Sequence, residues 1–326
     1  MLIPEFWADS RVQIRGHGKQ ITVRRSGWSM TSQAEAQAMA EARTRETIHC
    51  IVAGAKLDRR ESKLAYESGT EGRPIREEVL SRHGDAVITR NIYGAHCLNS
   101  PNVLFADIDF VRPPASCVVL LILFGLLSTI PITVGIVTQY ISFAFALLFF
   151  AALFTPLIEE AGYRMLISIH GGHKGLALQR IRQFIEKNPT WSLRLYETPA
   201  GFRLIATQRT FDPKEENVQS LFNALCVDKM YARLCKNQNC FRARLTAKPW
   251  RIGLRGLKPR RTWPVSDDVS PTRRAWIEKY EQKAAHFAAC RFIETLGSGV
   301  IHVDVRETVE LHDQLSRALQ RHASIA

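Results

Sequence analysis

Apolar and polar positions divide this chain into two kinds of sequence. Between Arg112 and Glu159 lie 46 residues without a carboxylate, amine or guanidinium, most of them Leu, Ile, Val, Phe and Ala. A helix that crosses a bilayer needs roughly 20 apolar residues to traverse about 30 Å of hydrocarbon, so the run accommodates two such helices. Apolarity on every helical face argues against the alternative of two buried core helices in a soluble domain. The natural break is Ser128-Thr129-Ile130-Pro131, because proline lacks an amide donor and disfavours helical geometry in the residue before it. The pattern therefore predicts spans near residues 115–130 and 134–156.

Elsewhere the periodicity is that of a mixed α and β chain. Residues 12–23 alternate around Gly16-His17-Gly18, as a glycine-turned hairpin does. Ser32 followed by Glu35 has the form of a capping box before good helix formers at 34–51. Short helices are predicted at 59–66 and 75–82, and strands at 86–90 and 103–110. Beyond the apolar run, Leu176, Leu178, Ile181 and Ile185 recur at helical spacing, and 192–197 and 202–207 alternate around Thr198-Pro199-Ala200-Gly201 as a β-hairpin. A helix is expected at 215–225. Phe241, Ala243 and Leu245 alternate with Arg242, Arg244 and Thr246 as in a half-buried strand, with both arginines on one face. Helices are expected at 273–296 and 308–322, the second with Val309, Leu311, Leu315 and Leu319 on a broad apolar face. The fold class this predicts is α+β: a mixed sheet with flanking helices, interrupted by a two-helix transmembrane hairpin.

The organisation follows: an α/β arm over residues 1–111, the hairpin at 112–160, a second α/β arm at 161–265 completing the same domain, and a helical segment at 266–326. The first residues, Met1 to Trp7, have neither the basic start nor the apolar core of a secretory signal, which makes the first arm cytoplasmic by default. Two crossings return the second arm to that side. Arg112 before the run and Arg164, Lys174, Arg180 and Arg182 after it agree. The expected location is an inner or cytoplasmic membrane, multi-pass, with both termini cytoplasmic and the lipid bilayer as a partner. In a reducing compartment the seven cysteines read as free thiols. Cys226, Cys235 and Cys240 invite a zinc site, but no second pair and no histidine follows at finger or ribbon spacing.

Asp107-Ile108-Asp109 is the sharpest polar feature. Residues two apart on a strand share a face at about 6 to 7 Å, and two such carboxylates can hold the divalent cations of phosphoryl transfer. Short D-x-D runs also occur by chance, or simply place two acids in water.

A strand ending in Phe105-Ala106-Asp107-Ile108-Asp109, then a helix, then a hairpin carrying Tyr196-Glu197-Thr198-Pro199-Ala200-Gly201-Phe202-Arg203-Leu204 resembles the archaeo-eukaryotic primase-polymerase superfamily over roughly residues 102–228, the apolar insert aside. The resemblance implies metal roles for Asp107 and Asp109 with Mg or Mn as cofactor, Asp228 as the third acid, and a phosphate-facing role for Thr198, Gly201 and Arg203. Arg203 stands where the family's pattern carries His.

Charge adds a second candidate surface. The chain's formal net charge is +13, and residues 229–266 contain no Asp or Glu while carrying eleven Lys and Arg, from Lys229 to Arg261. Tyr231, Phe241, Trp250 and Trp263 punctuate the stretch. Cations interleaved with rings suit nucleotide or nucleic-acid phosphates and bases, with Arg242 and Arg244 as bidentate phosphate or carboxylate ligands. They equally suit anionic lipid head groups beside a bilayer, or a solvated face and a protein partner. Two functions therefore stand open: metal-dependent nucleotide or nucleic-acid binding, and a non-enzymatic membrane-anchored scaffold. His170 and His173, beside Gly171 and Gly172, read as loop polarity.

Overall fold

The computed structural model describes residues 1–16, 19–57, 74–110, 115–258, 263–265 and 270–326. The predicted helix at 59–66, Arg112, Arg260 and Arg261 lie outside the described residues. In chain order the elements begin with strands β1 (Phe6–Gly16) and β2 (Lys19–Ser29), helix α1 (Gln33–Val52), and strands β3 (Glu78–His83), β4 (Ala86–Arg90), β5 (His96–Ser100) and β6 (Phe105–Asp109). Helices α2 (Cys117–Thr138), α3 (Ile141–Ile169) and α4 (Gly172–Lys187) follow, then strands β7 (Ser192–Thr198) and β8 (Gly201–Ala206), helices α5 (Glu216–Ala224) and α6 (Lys229–Gln238), and strand β9 (Phe241–Arg244). A 3-10 turn (Pro249–Ile252), α7 (Ser270–Ala284), β10 (Phe287–Ala288), β11 (Arg291–Gly297), α8 (Val303–Leu315) and β12 (Ser324–Ile325) complete the chain. The class is mixed α+β, and the strands form several sheets instead of the one expected.

Two compact units result, Met1–Ile108 with Phe184–Ala326, and Asp109–Gln183. In the first, β1 and β2 form a long antiparallel ribbon against which α1 packs Ala36 and Ala40. Gly27 is required at that crossing, since a methyl there would overlap the backbone of Ala36 and Ala40. Ser32 caps α1 by accepting the Glu35 amide at 3.2 Å. The Glu35 carboxylate turns to the hydroxyls of Ser29 and Thr31, so only half of the expected capping box forms. One four-stranded sheet has the order β3-β4-β5-β9 and another the order β11-β7-β8-β6. The central β8 is buried at every position, which explains its run of apolar residues on both faces.

In the second unit, α2 and α3 bury only small or short side chains against each other, among them Ser128, Pro131, Ala144, Ala151 and Thr155. Their large apolar residues point outward: 11% and 6% of their most apolar 18-residue windows is buried. Both helices are long and apolar enough to cross a membrane.

Several elements differ from the sequence reading. The break between the apolar helices falls at Gln139 and Tyr140, with Gln139 left-handed at φ 61°; Pro131 sits inside α2. Proline removes the amide that would donate to the Leu127 carbonyl yet is tolerated within apolar helices; in the same stretch the hydroxyls of Ser128, Thr129 and Thr133 donate to the carbonyls of Phe124, Leu126 and Thr129. Residues 78–83 form β3 where a helix was expected, because pairing with β4 outweighs local propensity. The predicted helix at 273–296 stops at Ala284, and Arg291–Gly297 pairs with β7. Helix α8 starts five residues earlier than the 308–322 reading and ends at Leu315. Its buried face is Val305, Val309, His312 and Asp313, whereas Leu319 is 61% exposed.

Candidate functional site

Strand β6 lies beside β8, with the Ala206 amide donating to the Leu104 carbonyl at 3.1 Å. Three residues on in β6 and three back in β8, Asp107 meets Arg203. The Arg203 Nε donates to Asp107 Oδ1 at 2.7 Å and Nη2 to Oδ2 at 3.0 Å, a bidentate fork that fixes both planes. Arg203 Nη1 donates to the Arg244 carbonyl of β9 at 2.8 Å and lies 3.3 Å from His312 Nε2 on α8. One guanidinium thus ties together β6, β8, β9 and α8. Its side chain is 1% exposed, while that of Asp107 keeps 38%.

The polar cluster continues through α8. His312, fully buried, approaches Asp313 Oδ1 through Nδ1 at 3.0 Å. Arg194 Nη2 donates to Asp313 Oδ2 at 2.6 Å, and its Nε donates to the Tyr196 hydroxyl at 2.8 Å. Two carboxylates face two guanidinium groups, so this buried set is internally compensated, the condition under which charge is tolerated away from water. Burial pushes the Asp107 carboxyl up, but the charge and hydrogen bonds of Arg203 outweigh it and hold the group below the ordinary carboxylate range. Burial likewise pushes the Asp313 carboxyl up, but the pairing with His312 and Arg194 outweighs it and lowers the group.

Cys290 completes the cluster, its Sγ 3.8 Å from His312 Nε2 and 3.5 Å from Ser316 Oγ. Burial would raise the thiol and lower the imidazole, yet their mutual interaction moves each the other way, Cys290 down and His312 up. Thiol, imidazole and carboxylate stand in the order used by cysteine nucleophiles. Cys290 is 0% exposed, however, and Arg203 occupies the same imidazole nitrogen, so in this conformation the group serves packing and charge compensation.

Sequence reading missed Cys290, His312, Asp313, Arg194 and Tyr196. Adjacent His312-Asp313 on a helical pattern was the available signal, hidden because the apolar stripe appeared to run through Leu311 and Leu315. The predicted residues are placed variously. Asp109 ends β6 in an exposed position. Asp228 is the exposed N-cap of α6, accepting the Met230 amide at 2.9 Å. Thr198 and Gly201 pair across the β7–β8 turn. Arg242 is bound to Glu77 at 2.6 Å, and Arg244 has its Nε buried without a partner. The two do not form the open phosphate fork that strand alternation suggested. Among the described residues no group of three His, Cys, Asp or Glu is placed to hold a metal ion. Cys235 and Cys240 are buried and free; burial raises both thiols, that of Cys240 to about 11, which keeps them protonated.

The exposed cations lie elsewhere. Lys229, Arg233 and Lys236 are exposed along one face of α6 at the three- and four-residue spacing that aligns side chains, and Arg255 and Lys258 are exposed after the 3-10 turn. The opposite face of α6 is held by Tyr231, whose hydroxyl sits 2.9 Å from the Phe105 carbonyl and 3.1 Å from the Arg242 carbonyl.

No family model, no curated protein and no solved structure matches this chain, so the functional reading rests on these side chains.

Asp107→Asn should lower stability by about 3 kcal/mol, because it leaves a buried guanidinium without its counter-charge. The double change Asp107→Leu with Arg203→Met should cost less than either single change. The ion pair's contribution is fully present above the ordinary carboxylate value near 4 and is lost as pH falls through the lowered native value. Denaturant unfolding of the full chain in detergent, followed between about pH 3 and 7, should therefore show a shallower acid limb in Asp107→Asn than in the wild type. Equal stability of wild type and single variant would remove the pair from its structural role.

Proposed function

We propose that this chain is a bilayer-anchored protein whose α+β unit holds a phosphate-bearing polyanion at a basic surface. The observation that carries this reading is the exposed set Lys229, Arg233, Lys236, Arg255 and Lys258 within a stretch that contains no acid. Concentrated charge of one sign attracts an oppositely charged partner and draws it in at range. Nucleic acid and anionic lipid head groups share this phosphate chemistry. The detergent-solubilised chain should bind heparin or single-stranded DNA with an affinity that falls steeply with salt, about 0.7 to 0.9 in log affinity per log salt for each phosphate neutralised. Lys229→Ala/Arg233→Ala/Lys236→Ala should flatten that slope by about two to three. A salt-independent affinity would overturn the reading.

In this reading α2 and α3 form a two-pass anchor in an inner or cytoplasmic membrane, with both termini on the cytoplasmic side. The outward large apolar residues and the charge-free connection at Gln139-Tyr140 support it. Reporter fusions at residue 1, at Gln139 and at Ala326 should place only the middle one outside the cytoplasm; an external C-terminus would refute the hairpin.

A second reading is a primase-polymerase-like site in which Asp107 and Asp109 bind Mg or Mn with a nucleotide, and Thr198, Gly201 and Arg203 approach its phosphates. It is favoured by the partial exposure of Asp107, 38% beside an almost wholly buried Arg203, on the strand next to the hairpin. Because Asp107 also compensates Arg203, Asp109→Asn is the test that leaves that pair intact. It should reduce Mn-dependent nucleotide binding at least ten-fold. Unaltered binding, or none in the wild type, would leave the metal-independent polyanion reading.

A further inference from the structure

The 3-10 turn presents an aromatic ring in an unusual way. Pro249 and Ile252 are buried and anchor the turn, Gly253 ends it at φ 70°, and between them Trp250 is left 51% exposed. The indole is not loose. Tyr93 meets it edge-on, with ring centroids 5.3 Å apart, and the Lys248 ammonium lies 5.5 Å from its centroid. Tyr93 itself is packed against a core cluster of Ala95, Ala247, Ile252, Tyr280 and Ala284, and its hydroxyl is pushed up to about 12 by burial. Trp276, stacked on Tyr280 at 5.1 Å, fixes the following chain by donating from Nε1 to the Arg255 carbonyl at 3.0 Å.

Further cations lie along the same turn. Arg255 is exposed five residues on, and the exposed Lys283 of α7 reaches across, its Nζ 3.3 Å from where a Cβ on Gly253 would stand. Glu281, elsewhere on α7, is engaged by Arg90 and His96 at 2.8 Å each. A half-exposed indole held by its neighbours, with Lys248 at its ring and Arg255 and the Lys283 ammonium by the Gly253 end of the same turn, matches a ligand that carries a flat ring on a chain of phosphates. A bare polyanion needs no ring, whereas stacking is the sequence-tolerant component of single-strand binding.

We propose that Trp250 is a base-stacking platform and that the partner of the basic surface is single-stranded nucleic acid. This rests on the polyanion reading above and narrows it to one class of partner. The alternative source of phosphate, an anionic lipid surface, would use the same indole as an interfacial anchor, and the test separates the two.

The full chain in neutral-lipid nanodiscs would be titrated with oligodeoxythymidylate, with an abasic oligomer of the same length and phosphate count, and with vesicles of phosphatidylcholine containing phosphatidylserine. The wild type should bind the base-bearing oligomer about ten-fold more tightly than the abasic one, the usual scale of one stacking contact. Trp250→Ala should erase that difference while leaving abasic binding unchanged. Trp250→Phe should keep most of it, which shows that the turn still folds. Arg255→Ala/Lys283→Ala should weaken both oligomers alike. Equal affinity for the two oligomers, unmoved by Trp250→Ala, would overturn the platform and leave the polyanion reading standing. Preference for the anionic vesicles, lost in Trp250→Ala, would overturn it in favour of a lipid surface. Failure to bind any of the three at low salt would sink the polyanion reading itself.

Discussion

A guanidinium with 1% exposure has few ways to exist inside a protein. Removed from water it needs an opposite charge and acceptors for its remaining hydrogens, or the fold loses several kcal/mol. Arg203 finds them in Asp107, the Arg244 carbonyl and the His312 ring, on three elements distant in sequence. That requirement explains much of the surrounding arrangement. Strand β6 must bring a carboxylate beside β8, β9 must end with its carbonyl turned inward, and α8 must bury a histidine where a leucine would pack more cheaply. His312 in turn draws in Asp313, which draws in Arg194 and Tyr196. Buried networks of this kind define one arrangement of the elements, because any slip leaves a charge unpaired.

What was legible in the sequence follows from where the stabilising interactions are local. The β1–β2 and β7–β8 hairpins, α1 with its Ser32 cap, α5, and the two apolar helices are governed by period, turn chemistry and capping, all of which act over a few residues. Errors appear where long-range pairing decides. Residues 291–297 have helix-compatible composition but complete the edge of a sheet by pairing with β7, Ser192–Thr198. Residues 78–83 are strand because β4 waits to pair with them. On α8 the eye follows Val309, Leu311 and Leu315, yet the buried face turns through His312 and Asp313, since polar residues with fixed partners can replace apolar ones at core positions.

The candidate site divides along the same line. Asp107 was visible as one of a pair of acids on a strand, and Arg203 as part of the hairpin beside it. Their mutual engagement was not, because a one-dimensional pattern does not say which charges neutralise each other. Arg242 shows the point again: its alternation with Phe241 and Ala243 places it correctly opposite the buried face, but Glu77, some 165 residues away in sequence, takes up its charge.

This redistribution changes what the chain's excess of +13 means. Arginines that looked like a binding surface, Arg203 and Arg242, are the ones buried in ion pairs. Three of the basic residues left in water, Lys229, Lys236 and Lys258, are lysines, whose flexible, strongly hydrated ammonium groups are poor at holding a single rigid geometry. A surface of that kind attracts phosphates without selecting among them. In the proposed polyanion reading discrimination falls to a group with fixed shape, and among the described residues of the basic stretch the exposed ring held by its neighbours is Trp250.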